Sequence, residues 1–76
     1  MLSLLVECRP DASRGQLPVR FGWPGRMREV AETVDLWEGE NHRYFRVRTP
    51  DGAHYILRQD LGEGRWELHS YRRGAT

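Results

Sequence analysis

Three histidines, His42, His54 and His69, and a lone cysteine, Cys8, are the residues of this sequence best suited to hold a metal ion or to pair as nucleophile and base. Zinc ligands usually come in close pairs, about two to four residues apart. These four are each a dozen residues or more from the next, so neither a metal nor any other cofactor is expected. Cys8 with a histidine lacks any motif of a thiol enzyme and reads as a small apolar filler. Ser3, Ser13 and Ser70 lack the strand–turn–helix elbow that presents a serine nucleophile. Carboxylates are plentiful, but carboxylate catalysis of the glycosidase kind needs two of them facing across a cleft. No cleft is foreshadowed here, and the chain is expected to be non-catalytic.

Arginines interleaved with rings are the sharper signal. Tyr44, Arg46 and Arg48 alternate on one segment, with His54 and Arg58 on the next and Tyr71 on a third. On one face of a sheet these side chains would hold phosphates by charge and stack unpaired bases, as small β-barrels do with single strands. Tyr44, Arg46, Arg48 and Arg58 are therefore the candidate nucleic-acid-binding residues. A competing account of the same face is solvation by cross-strand ion pairs: Glu67 stands near Arg58, and Glu32 and Asp35 can reach Arg48 and Arg46. A protein-docking role has its own candidates. Trp37 with Tyr44 would make an exposed aromatic pair, unless Trp37 serves to close the end of the fold. Leu2, Leu4 and Leu5 would form an apolar edge able to pair with another chain, giving a protein partner or a homodimer.

The elements that carry these residues follow from alternation and turn chemistry. Leu2 to Glu7 reads as a first strand and Arg9 to Gln16 as a polar loop. Leu17 to Trp23 sets Val19, Phe21 and Trp23 on one face. Arg26 to Trp37 is ambiguous, because Met27, Val30, Ala31 and Val34 also share one side of a helix. A long bent strand is preferred over that helix, since its neighbours are strands and short connections favour antiparallel pairing.

Thr49-Pro50-Asp51-Gly52 carries Pro where a type I turn fixes φ and Gly where the chain goes left-handed, the signature of a three-residue hairpin loop. That loop sets Val47 against Tyr55 and Phe45 against Leu57 on one face, with Arg48 against His54 and Arg46 against Ile56 on the other. A two-residue loop would mix the two sets. Leu61-Gly62-Glu63-Gly64 then turns into a last strand, Arg65 to Arg72, with Trp66 and Leu68 inward and Glu67, His69 and Tyr71 outward. Gly74 to Thr76 is expected to fray.

The expected fold is thus an all-β antiparallel meander of about six strands, curled into a small half-open barrel of the SH3-like or OB-like kind. Its core would comprise Val19, Phe21, Trp23, Val34, Leu36, Phe45, Val47, Tyr55, Leu57, Trp66 and Leu68, with Phe45 and Trp66 among the most buried.

Size and charge bound what this fold can do. A chain of 76 residues makes one domain and buries only roughly 60% of its unfolded surface, which leaves little room for an enclosed active site. The net charge of +1 provides no overall field for a polyanion, so any nucleic-acid contact must be local. All twelve basic residues are Arg, as coding bias or a need for planar donors would each produce. The lone cysteine suits a reducing compartment. MLSLLVE lacks the basic and cleavage regions of a signal peptide, and no run reaches the roughly 18 apolar residues of a membrane span. A cytoplasmic location without membrane contact is expected.

The succession of REV, the tryptophan at Trp37, HRYFRVRT, the Asp-Gly turn, YILR and RWELH resembles a family of small uncharacterised bacterial domains over roughly Val19 to Arg72. Members of that family stand alone or sit at the C-terminus of proteins similar to Y-family translesion DNA polymerases. The resemblance implies a β fold, no assigned chemistry and, for some relatives, a DNA-damage-tolerance setting. Together these readings give a non-catalytic β binding module, expected to bind single-stranded nucleic acid in such a setting. The alternative is a protein-interaction or self-association module.

Overall fold

The computed structural model describes residues 4–74, and every regular element among them is a strand. In chain order these are β1 (Leu5–Asp11), β2 (Gly15–Trp23), β3 (Arg26–Glu29), β4 (Glu32–Gly39), β5 (His42–Arg48), β6 (His54–Asp60) and β7 (Trp66–Arg72). They form two antiparallel sheets, β1-β2-β3 and β4-β5-β6-β7. The strands number seven rather than six because the long bent strand expected over Arg26 to Trp37 is divided at its bend. The Val30 N–H donates to Val19 of the first sheet (2.9 Å), while the next N–H, that of Ala31, donates to Arg48 of the second (2.7 Å). Within two residues the chain changes sheets, and the helical alternative is not adopted. The described residues form two separate sheets and show no closed barrel.

The polar loop expected over Arg9 to Gln16 is mostly strand. β1 runs on to Asp11 and β2 begins at Gly15. The Asp11 carboxylate accepts the Ser13 and Arg14 N–H groups (2.9 and 3.0 Å) and Gly15 takes φ 80°, so an Asx turn closes a long hairpin. Asp60 caps the β6–β7 turn in the same way, accepting from Gly62 and Glu63. The β5–β6 loop is the expected three-residue one. Thr49 and Ala53 close it, Gly52 lies at φ 87°, and the register pairs Val47 with Tyr55 and Phe45 with Leu57.

The first sheet covers one face of the second. Between them lie Leu4, Phe21, Phe45, Val47, Ala53, Tyr55 and Leu57, with Leu36 and Trp66 half-buried at the margin. Phe21 of β2 meets Tyr55 of β6 edge-on at 4.9 Å, joining the two sheets. Arginines fasten the periphery: Arg43 reaches across to the Arg14 carbonyl (3.1 Å), and Arg28 lies over the Tyr55 ring.

Several expected core residues are not in the core. Val34 sits in a β-bulge between Thr33 and Asp35, which turns it outward and leaves it 45% exposed. Trp23 and Leu68 are each 38% exposed, and Trp66 is half-buried against Phe45 rather than among the most buried residues. Leu4 corrects the expectation in the other direction. Assigned to an exposed interaction edge, it is buried with Phe21 and Phe45, while Leu5 is exposed and Leu2 lies outside the described residues. Cys8 is exposed on β1 instead of filling the core.

Candidate functional site

The outward face of the second sheet consists of rows fixed by register. At one end Glu32, Arg48, His54 and Arg72 stand side by side on β4 to β7. The next row is Asp35, Arg46, Ile56 and Ser70, and the third is Trp37, Tyr44, Arg58 and Glu67. Tyr44, Arg46, Arg48 and Arg58 are thus brought to one face, as their alternation requires. Trp37 joins them because β4 pairs with β5 in register.

The third row is an aromatic assembly. Trp37 and Tyr44 stack with centroids 5.3 Å apart and planes 1° from parallel. His69 meets the Tyr44 ring at 5.3 Å and 74°, and His42 lies 6.2 Å from it. Gly39 makes space for the Tyr44 ring, since a Cβ there would stand 3.0 Å from Cε1. Trp37 remains 38% exposed. With one ring face on Tyr44 and β4 at the sheet edge, its other ring face turns to solvent.

A second bulge decides which β7 residues take part. Leu57 pairs with Leu68, but Ile56 pairs with Ser70, so His69 is the extra residue. Beyond it the alternation is reversed: Tyr71, expected on the outward face, packs its ring 4.9 Å from Tyr55 on the core side, and Arg72 comes outward in its place. His69 stands outward, as alternation places it, whereas Arg72 is the member of the face that alternation assigns to the wrong side. A surplus residue in the last strand is the signal that would have placed Arg72.

Charge on this face is largely matched. Arg48 pairs with Glu32 at 3.2 Å, and an Arg58 amine lies 3.1 Å from both Glu67 oxygens. Hydrogen bonds to Glu67 first, and then to Tyr44, hold the Arg58 guanidinium above its ordinary pKa. Arg46 differs. It stands opposite Asp35, whose carboxylate instead accepts the Leu36 N–H (2.8 Å), and it has no ion-pair partner among the described residues. Its Nε is buried without a hydrogen-bond partner.

Elsewhere the chemistry is sparser. Among the described residues no group of three or more His, Cys, Asp or Glu is placed to hold a metal ion. His54 pairs with Arg72 while His69 lies against Tyr44, so these two imidazoles are not opposite each other. Partial desolvation raises the Cys8 thiol pKa, which disfavours the nucleophilic thiolate. An open depression of about 320 Å³ beside the β5–β6 loop is lined by Arg28, Glu29 and Asp51 with Thr49 and Pro50, one guanidinium against two carboxylates, which does not favour an anion. No helix of the described residues is long and apolar enough to cross a membrane. No family model matches the chain, and no curated protein or solved structure is significantly similar to it.

Proposed function

We propose that this chain is a non-catalytic binding module that takes single-stranded nucleic acid on the outward face of its second sheet, the two packed sheets acting as a half-open roll. The observation that carries the reading is the ring series of Trp37, Tyr44 and His69 beside the unpaired guanidinium of Arg46. An unpaired base stacks on the free face of Trp37, whose orientation Tyr44 fixes from behind. Arg46 meets a phosphate from the adjoining row, and Arg48 and Arg58 contribute less because each already holds a carboxylate. The resemblance of HRYFRVRT and RWELH to domains attached to Y-family polymerases directs the same proposal toward damaged DNA in a bacterial cytoplasm. Titration of a fluorescein-labelled oligothymidylate at low and moderate salt tests it. Saturable binding that Trp37→Ala and Arg46→Ala each weaken is expected, and no binding at low salt overturns the reading.

A protein-interaction module is the second reading, favoured by one observation. The outer strands of the second sheet, β4 and β7, carry exposed Val34, Trp37, Leu68 and Tyr71. Pairing along such an edge would bury those side chains and continue the ladder. Light scattering at rising concentration decides it: twice the monomer mass, insensitive to salt, is expected for self-association, and a persistent monomer removes that route.

A further inference from the structure

We infer that the outward face discriminates against duplex and in favour of strands with unpaired bases, and that Glu32 and Glu67 set this preference. The inference rests on the single-strand reading above and names the ligand class more narrowly.

Two independent features carry it. The first is charge. Duplex affinity comes chiefly from neutralising phosphates, since the faces of paired bases are stacked away inside the helix. The outward face offers Arg46, Arg48, Arg58 and Arg72, but Glu32, Asp35 and Glu67 stand in the same rows and Asp60 stands opposite His42. Four guanidinium groups thus meet four carboxylates, and two of the four are already engaged, by Glu32 and Glu67. A phosphate that captures Arg48 or Arg58 leaves an uncompensated carboxylate beside it. Long-range attraction for a polyanion is absent, and contacts of short range must supply the affinity. Stacking on Trp37 is such a contact, and only an unpaired base can make it.

The second feature is shape. Strands lie about 4.8 Å apart, so four of them span about 14 Å between the outer backbones before side chains are added. The major groove is about 12 Å wide and admits a helix or a two-stranded ribbon. A four-stranded face therefore rides over a duplex and reads no base, whereas a flexible single strand drapes across the rows.

The carboxylates consequently suppress duplex binding more than single-strand binding. The test compares the wild-type chain with the double variant Glu32→Gln/Glu67→Gln, using an oligothymidylate and a blunt DNA hairpin duplex as probes. Both side chains are exposed and Gln is nearly isosteric, so the variant should fold, which a thermal melt checks. For the wild type, two phosphate contacts from Arg46 and Arg72 give a log–log salt slope of about −1.4 on the single strand, roughly a sevenfold loss between about 50 and 200 mM salt. Duplex binding should be at least tenfold weaker. In the double variant the slope on duplex should approach about −3.6 as four arginines become available. The preference for single strand should fall at least tenfold.

Wild-type binding of duplex as tight as that of single strand overturns the inference and leaves the single-strand reading standing. An unchanged preference in the double variant does the same, because it removes Glu32 and Glu67 from the mechanism. Failure of the wild type to bind oligothymidylate at low salt overturns the underlying reading.

Discussion

Trp37→Ala isolates the stacking surface from the rest of the fold. The ring is 38% exposed and its main intramolecular partner is Tyr44, at 5.3 Å and 1° from parallel. An aromatic pair contributes about 0.5–1.5 kcal/mol beyond the area it buries, and a fully buried aromatic replaced by Ala costs about 3–5 kcal/mol. A ring this exposed should cost about 1–2 kcal/mol. For a domain of this size that lowers Tm by about 4–16 °C, while the whole domain holds about 4–11 kcal/mol. The variant thus remains folded at 25 °C, and any loss of binding there comes from the missing ring. One base stack is worth about 1–3 kcal/mol, so Kd for an oligothymidylate should rise roughly 5- to 150-fold. Fluorescence anisotropy at low salt measures it, with circular dichroism on the same samples. Trp37→Phe keeps a ring on Tyr44 and should recover most of the affinity. A change in Kd of less than about twofold, or a Phe variant as weak as the Ala variant, would refute the stacking argument.

Phe45→Ala removes a ring that is 1% exposed and touches Trp66 and Arg43, and a urea melt should show a loss of about 3–5 kcal/mol. Gly22→Ala should be at least as damaging, about 3 kcal/mol or more. Its φ of 148° disfavours a side chain, and a Cβ would stand 2.2 Å from the Arg26 carbonyl oxygen, so the β2–β3 hairpin must open; an unchanged Tm would refute this. Asp11, Asp51 and Asp60 each close a hairpin turn, and hydrogen bonds hold all three below the ordinary carboxylate pKa of 3.8, led by the Ser13 N–H, the Thr49 hydroxyl and the Glu63 N–H respectively. Because the folded values are depressed, their stabilisation is complete above the unfolded value and is lost as pH falls through the folded ones. Urea midpoints followed from about pH 5 to pH 2 should therefore fall, and fall less steeply in the Asp11→Asn/Asp51→Asn/Asp60→Asn variant; equal slopes would remove these turns from the account.

Local chemistry made the centre of the molecule legible. Pro50, Asp51 and Gly52 permit one loop length, and that loop fixes every pair from Arg48 with His54 to Phe45 with Leu57. Once that register stands, strict alternation over His42 to Arg48 places Tyr44, Arg46 and Arg48 outward with no reference to distant residues. The ion pairs of Arg48 with Glu32 and Arg58 with Glu67 lie across the flanking strand pairs, β4 on β5 and β6 on β7, whose bulges that register does not set, and they form because partners directly opposite on one face are within side-chain reach. The bend in Arg26 to Trp37 was also legible from its neighbours, though its division between two sheets was not.

Bulges and layer packing belong to the tertiary structure. A single surplus residue at Val34 or His69 reverses the facing of everything beyond it, and nothing in a period-two pattern marks where the surplus falls. Hence Tyr71 turns inward to Tyr55, Arg72 turns outward, and His69 comes to rest on Tyr44. The fate of Leu4 is decided in the same way. An apolar residue near the N-terminus suits an exposed edge as well as a core until the first sheet folds over the second and buries it beside Phe21. Sequence by itself determined the β5–β6 hairpin with its register and the residue types of the outward face. Only the packing of two sheets, with their bulges, decided which rings meet, which arginines of the outward face are left without a carboxylate and which apolar side chains are sealed from water. Those outcomes depend on contacts between strands far apart in the chain, which local propensity does not encode.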